Sequence, residues 1–114
     1  MKYAQQTRMS RGIHGWQAET KIPLDGDTIK VGGRFVKVYT SKTDSGLVTT
    51  VSCCVKTDVG YQFALYQDYL KRVMKSNSRC TEKSVEVQHT TVMNDIDYHL
   101  GEVRKHYKRE EATA

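Results

Sequence analysis

"DGDTIKVGGRFVKVYTSK", residues 25–42, is the stretch whose reading decides the fold. Its opening Asp-Gly-Asp is turn chemistry, because Asp side chains bond nearby backbone and Gly accepts positive φ. Residues 28–31 then alternate, with Ile29 and Val31 on one side. Gly32 and Gly33 follow, and a type I′ hairpin turn needs φ > 0 at both central positions. The pair therefore predicts a tight hairpin. The return strand from Arg34 puts Val36 and Val38 on one face, Phe35 and Tyr39 on the other. Apolar groups on both faces predict a strand inside a sheet rather than at its edge.

Working outward, "TDSG" at residues 43–46 is a second turn, and "LVTTVSCCVKT" at 47–57 is a β-branched strand. Period 2 groups Leu47, Val51, Cys53 and Val55 on its inner face and turns Cys54 outward. "DVG" at 58–60 turns again. Residues 61–65 fit a strand, lined by Tyr61, Phe63 and Leu65; the alternative is a helix begun by Asp58, and Gly60 with the aromatic content favours the strand. From there Tyr66, Tyr69, Leu70, Val73 and Met74 recur at helical spacing and predict a middle helix, ended by "SNSR". Residues 84–91 read as a short strand with Val85, Val87 and His89 on one face. A last helix is expected over residues 92–108, with a narrow stripe of Val92, Ile96, Leu100, Val103 and Tyr107.

Residues 1–20 show no sustained period and read as a flexible basic arm carrying Lys2, Arg8 and Arg11, with Trp16 as its one large anchor. Residues 21–110 form a single domain, and 111–114 a frayed tail. The expected fold class is α+β: a small twisted antiparallel sheet of three to four strands with two amphipathic helices on one side. The short strands across residues 25–65 are similar to small SH3-like barrels. That resemblance implies a fold and no activity.

A chain of 114 residues suffices for one domain. No apolar run approaches the roughly 20 residues that span a bilayer, so no membrane partner is expected. The N-terminus has no apolar signal segment. Three cysteines cannot all pair within one chain, and together these features place the protein in a reducing cytoplasm. The net charge of +5 and pI near 9.2 favour an anionic partner, nucleic acid before others.

The sharpest charge pattern lies on the expected middle helix. Lys71, Arg72 and Lys75 sit opposite its apolar stripe, and Arg79 and Lys83 continue the row. Such a row meets a phosphate backbone; Asp68 offsets it locally. Arg34 and Lys37 would add sheet contacts, and Phe35 with Tyr39 beside Lys37 could stack bases. "RKHYKR" at residues 104–109 is complementary to the helix dipole and needs no ligand.

Catalytic and metal motifs are not legible. Cys53-Cys54 lacks the spacing of zinc pairs. Asp95, His99, Glu102 and His106 share a stripe that reads as alternating ion pairs before it reads as a metal site. There is no G-x-S-x-G and no P-loop. The expectation is thus a small non-enzymatic, nucleic-acid-associated accessory or regulatory protein with no cofactor, of the kind found in viruses and mobile elements. The alternative is an adaptor or inhibitor that binds an acidic protein surface, or a small assembly component. In that case Ile96, Leu100, Val103 and Tyr107 would form the protein interface or a homodimer seam on the last helix.

Overall fold

The computed structural model describes residues 2–24, 29, 31–58 and 63–113. After a single 3-10 turn (Ala4–Gln6), five strands follow in chain order: β1 (Thr7–Gly12), β2 (Gly15–Pro23), β3 (Arg34–Thr43), β4 (Gly46–Asp58) and β5 (Phe63–Ser76). Helices α1 (Glu82–Met93) and α2 (Ile96–Thr113) complete the chain. Every strand pairs antiparallel with its sequence neighbour, in the order β1-β2-β3-β4-β5. The α+β class with an antiparallel sheet and two helices is as expected. The sheet has five strands rather than three or four, and an up-and-down meander stands in place of the SH3-like arrangement.

The additional strands come from the N-terminus. Residues expected as a flexible arm form β1 and most of β2, joined by a turn between Gly12 and Gly15. The signal is the alternation in β2: Trp16, Ala18, Thr20 and Ile22 face the helices, while Gln17, Glu19 and Lys21 face the other way. Ala18 and Thr20 are small, so their burial leaves a faint apolar pattern.

The quoted segment behaves differently in its two halves. The return strand β3 is interior, as its two-faced apolar pattern predicts. The predicted strand at 28–31 lies largely outside the described residues; Ile29 and Val31, which are described, are not in a strand. Only Gly32 of the glycine pair has positive φ, at 80°. Its N–H donates to the Lys56 carbonyl, and Lys56 N–H donates to the Gly33 carbonyl. The pair therefore prolongs the β3–β4 ladder and is not a type I′ turn.

Two elements exchange identity with the prediction. The expected middle helix is the second half of β5, and the expected strand at 84–91 is α1. In β5 the pairing jumps at two points: Met74 pairs with Thr49 but Arg72 with Thr50, and Tyr69 pairs with Cys53 but Gln67 with Cys54. Val73 and Asp68 are the extra residues of two bulges. Each bulge resets the two-residue alternation, so Tyr69, Val73 and Met74 all reach the core at spacings that imitate a helix. In α1 the buried residues are Val85, Gln88, His89, Val92 and Met93, a helical stripe with two polar members. Thr81 caps it: its hydroxyl accepts from Ser84 N–H, and Thr81 N–H donates to Ser84 Oγ. The chain breaks at Asn94 and Asp95, so the last helix starts at Ile96 rather than 92, and it runs on to Thr113 through the expected tail.

Both helices cover one face of the sheet. Ile22, Val36, Val38, Val51 and Cys53 from the strands meet Val92, Met93, Ile96, Leu100 and Val103 from the helices. Beneath α1 runs a line of hydrogen bonds across the sheet. Thr7 donates to the Tyr3 carbonyl, so Thr7 Oγ1 accepts from Thr20 at 2.7 Å. Thr20 Oγ1 must then accept from His89 Nε2 at 2.7 Å, which makes His89 Nδ1 the acceptor for Thr40 at 2.8 Å. Thr40 accepts from Thr49, and Thr49 from Gln88 Nε2, whose carbonyl oxygen takes the Ser76 hydroxyl proton. The donors all point one way only if His89 is neutral with its proton on Nε2. Burial pushes this imidazole down to about 4.

A second polar group ties α2 to the sheet. The Asp68 bulge presents its carboxylate to Arg34 Nη1 at 2.7 Å and to the Tyr107 hydroxyl. Arg34 also lies 4.1 Å from the centre of the Tyr107 ring. Burial alone would raise the Asp68 carboxyl, but the bonds from Tyr107 and Arg34 outweigh it and hold it below its ordinary value. Tyr107→Phe removes one bond to a charged acceptor and is expected to cost about 2 kcal/mol. A urea midpoint equal to that of the parent would show that the phenol contributes nothing.

Candidate functional site

The face of the sheet turned away from the helices carries the charge. Register assigns its residues in rows. Arg8 pairs with Glu19, Glu19 with Tyr39, Tyr39 with Thr50 and Thr50 with Arg72. In the next row Lys21 pairs with Lys37, Lys37 with Ser52 and Ser52 with Leu70. Further along, Lys75 lies beside Val48. Among the described side chains, six cations (Arg8, Lys21, Lys37, Lys56, Arg72 and Lys75) thus share this face with one carboxylate, Glu19. Lys21 and Lys37 are direct cross-strand partners, a like-charge arrangement that costs stability in isolation.

Arg72 and Lys75 are exposed, and Lys37 and Tyr39 half-buried. Lys37 Nζ lies 5.1 Å from the Tyr39 ring centre, and the Tyr39 hydroxyl donates to Gln17 Oε1 at 2.6 Å. Phe35 is on the same face but only 1% exposed, with Lys21 Nζ 5.9 Å from its ring centre. It cannot be a stacking platform beside Tyr39; the expected aromatic pair reduces to Tyr39.

The residues predicted as one basic row are divided by the strand geometry. Successive strand residues point to opposite faces, and the Val73 bulge shifts the alternation by one residue, so Arg72 and Lys75 both join Lys37 on the face away from the helices. Lys71, paired with Val51, is turned to the helix side, where its charge opposes protonation of His99. Arg79 lies in the connection before α1, and Lys83 borders a groove with Val87 on α1. Arg34 is engaged by Asp68 and Tyr107 within the fold. Sequence reasoning missed Arg8 and Lys21, because both were read as part of, or next to, a flexible arm. The β2 alternation that exposes Lys21 beside Ile22 was the available signal.

The predicted protein interface is corrected as well. Ile96, Leu100 and Val103 are 2%, 3% and 0% exposed and belong to the chain's own core, while Tyr107 is half-buried against it. The narrow stripe of α2 docks on its own sheet and offers no free seam.

No cluster of three metal-ligating side chains occurs among the described residues. Asp95, His99, Glu102 and His106 do not converge: Glu102 pairs with Lys105 at 3.5 Å, and the His106 ring packs 5.0 Å from Tyr69. Cys53 and Cys54 are both buried, on opposite faces of β4, and burial pushes the Cys53 thiol up, away from nucleophilic character. No described helix is long and apolar enough to cross a membrane. Neither a protein-family model, nor a curated protein, nor a solved structure matches this chain.

Proposed function

We propose that the chain is a small non-enzymatic nucleic-acid-associated protein, and that the open face of its sheet is the binding surface. The observation that carries this reading is the cross-strand pair Lys21 and Lys37, flanked by Arg8, Lys56, Arg72 and Lys75, with Glu19 as the one acid among the described side chains. Among the described residues, Arg8, Arg72 and Lys75 take no hydrogen bond or ion pair. Unpaired cations at the exposed positions of this face, around a middle where Phe35, Val48, Ser52 and Cys54 are buried, raise the energy of the free protein, and a polyanion relieves it while releasing its own counterions. Tyr39 adds a ring on which one base can stack. Three free thiols suit a reducing compartment, and the cytoplasm is the proposed location.

Mobility shift at about 50 mM salt tests the surface. Lys37→Ala and Arg72→Ala are expected to weaken binding about equally for all sequences, each lowering the salt slope by about one counterion. Lys71→Ala, on the other face, should change binding little. No shift with the parent protein under these conditions would end the nucleic-acid reading, and an equal loss for Lys71→Ala would misplace the surface.

A second reading is favoured by one feature. β5 spans 14 residues at the edge of the sheet and, among the described strands, pairs with β4 alone. A long edge is a template for pairing with another chain. A small assembly component, of the sort viruses and mobile elements use, would place two copies edge to edge and join their basic faces. This replaces the α2 seam as the route to a homodimer. Sedimentation equilibrium separates a monomeric binder from such an assembly.

A further inference from the structure

On the proposed binding face, Glu19, the one carboxylate among the described side chains, is the feature that a general affinity for phosphates does not explain. Glu19 stands directly across from Arg8 in the β1–β2 register, yet the two form no ion pair. Glu19 instead turns along its own strand, where Lys21 Nζ holds its Oε1 at 3.3 Å. Arg8 and Glu19 both line a recess of about 250 Å³, together with Thr7, Lys21, and Gln5 and Gln6 from the turn before β1. Its lining is dominated by hydrogen-bonding groups of every kind: two amides, a guanidinium, an ammonium and a carboxylate. Its volume falls just below the roughly 300–1,000 Å³ of pockets for whole drug-sized ligands, which suits a single base rather than a nucleotide with its phosphates.

We infer that this recess, formed by Gln5, Gln6, Arg8, Glu19 and Lys21, is a base-reading subsite selective for guanine in a single strand. The inference rests on the nucleic-acid reading above. A carboxylate only accepts hydrogen bonds and repels phosphate, so at this position it selects the base with the most donors on one edge. Guanine presents N1–H and N2–H₂ side by side, whereas adenine and cytosine each present one amino group and uracil one N–H. The adjoining guanine edge offers the acceptors O6 and N7, which suit the Arg8 guanidinium. Lys21 holds the Glu19 carboxylate in place before any base arrives. Bases are accessible in this way only where they are unpaired, which excludes a closed duplex.

The test uses fluorescently labelled U-rich 12-mers carrying a central G, A, C or U, with GMP and UMP as free-nucleotide arms. With the parent protein, the G oligomer should bind about tenfold tighter than the U oligomer. Glu19→Gln should abolish that preference while leaving the U oligomer bound as tightly or more tightly, because a like charge is removed from a polyanion surface. A purely structural Glu19 would weaken all oligomers together and leave their ratio intact. Equal binding of the four parent complexes, or an unchanged preference in Glu19→Gln, would overturn the guanine subsite and leave the basic face standing. Absence of binding to every oligomer and to GMP would overturn both. GMP binding without oligomer binding would keep the guanine chemistry but overturn a strand as its source.

Discussion

Replacing Gly46 by alanine is expected to lower the unfolding free energy by about 3 kcal/mol, the combined effect of a strained φ and a backbone clash. Gly46 opens β4 after the turn from β3, with φ at 117°, a conformation that L side chains rarely adopt. A Cβ there would stand 2.5 Å from the carbonyl oxygen of Ser76, the last residue of β5. That oxygen belongs to the backbone and cannot swing aside as a side chain would. Moving it displaces the Ser76 hydroxyl from Gln88 and so disturbs the far end of the hydrogen-bonded line under α1. Gly101 is the matched control. It lies within α2 with open space at its Cβ position, so Gly101→Ala should stabilise by about 0.5–1 kcal/mol through helix propensity. Paired urea titrations of the two variants give the comparison. A Gly46→Ala midpoint equal to that of the parent would mean the β3–β4 turn is not built as described.

The second large effect is acid destabilisation through His89. The folded imidazole titrates at about 4, against 6.5 when unfolded, and burial is the cause. As pH falls below 6.5 the unfolded chain takes up a proton that the folded chain refuses. Stability therefore declines between pH 6.5 and about 4, by about 3 kcal/mol if the difference of roughly 2.5 units is fully expressed. The geometry supplies the reason. A proton on Nδ1 would face the Thr40 hydroxyl, which must then reverse and send its own proton towards Thr49. Thr49 already accepts from Gln88, so the reversal leaves its hydroxyl proton without an acceptor in the line. His99, whose folded state also resists protonation through burial, slopes the same way. Asp68 acts in a lower window: its carboxyl is held below the ordinary value of 3.8, so its contribution is present above that pH and disappears only as pH falls further. Unfolding titrations at pH 7, 5.5 and 4.5 on the parent and on His89→Gln measure the term. Gln can keep both hydrogen bonds but carries no proton equilibrium. An identical slope in the two proteins would refute the assignment to His89.

The proposed surface and the acid-sensitive line sit on opposite faces of one sheet and share strands. Lys21 and Lys37 alternate with Thr20, Val36 and Val38, so the residues proposed to bind and the residues that face the helices are neighbours in sequence. Substitutions at the outward positions are therefore expected to change binding with little effect on the fold.

Several features were legible in the residues alone. Two-faced apolar content placed β3 in the sheet interior, "TDSG" marked the β3–β4 turn, and alternation assigned the inner face of β4. The α2 stripe was visible through its Ile96, Leu100 and Val103 spacing. These are local signals, each written in one periodicity. The rest depended on tertiary context. The bulges at Asp68 and Val73 exist because β5 must follow the twisted edge of β4, and they disguise a strand as a helix. The core stripe of α1 includes Gln88 and His89, which are buried only because threonines on β2, β3 and β4, the Leu47 carbonyl of β4 and the Ser76 hydroxyl of β5 supply their partners. Charges on β5 belong to one face or the other according to pairing register, so Lys71 parts from Arg72. Composition determined that an anionic partner was the natural expectation. Which cations stand together to meet it was decided by the sheet, because cross-strand neighbours are set by pairing and not by distance along the chain.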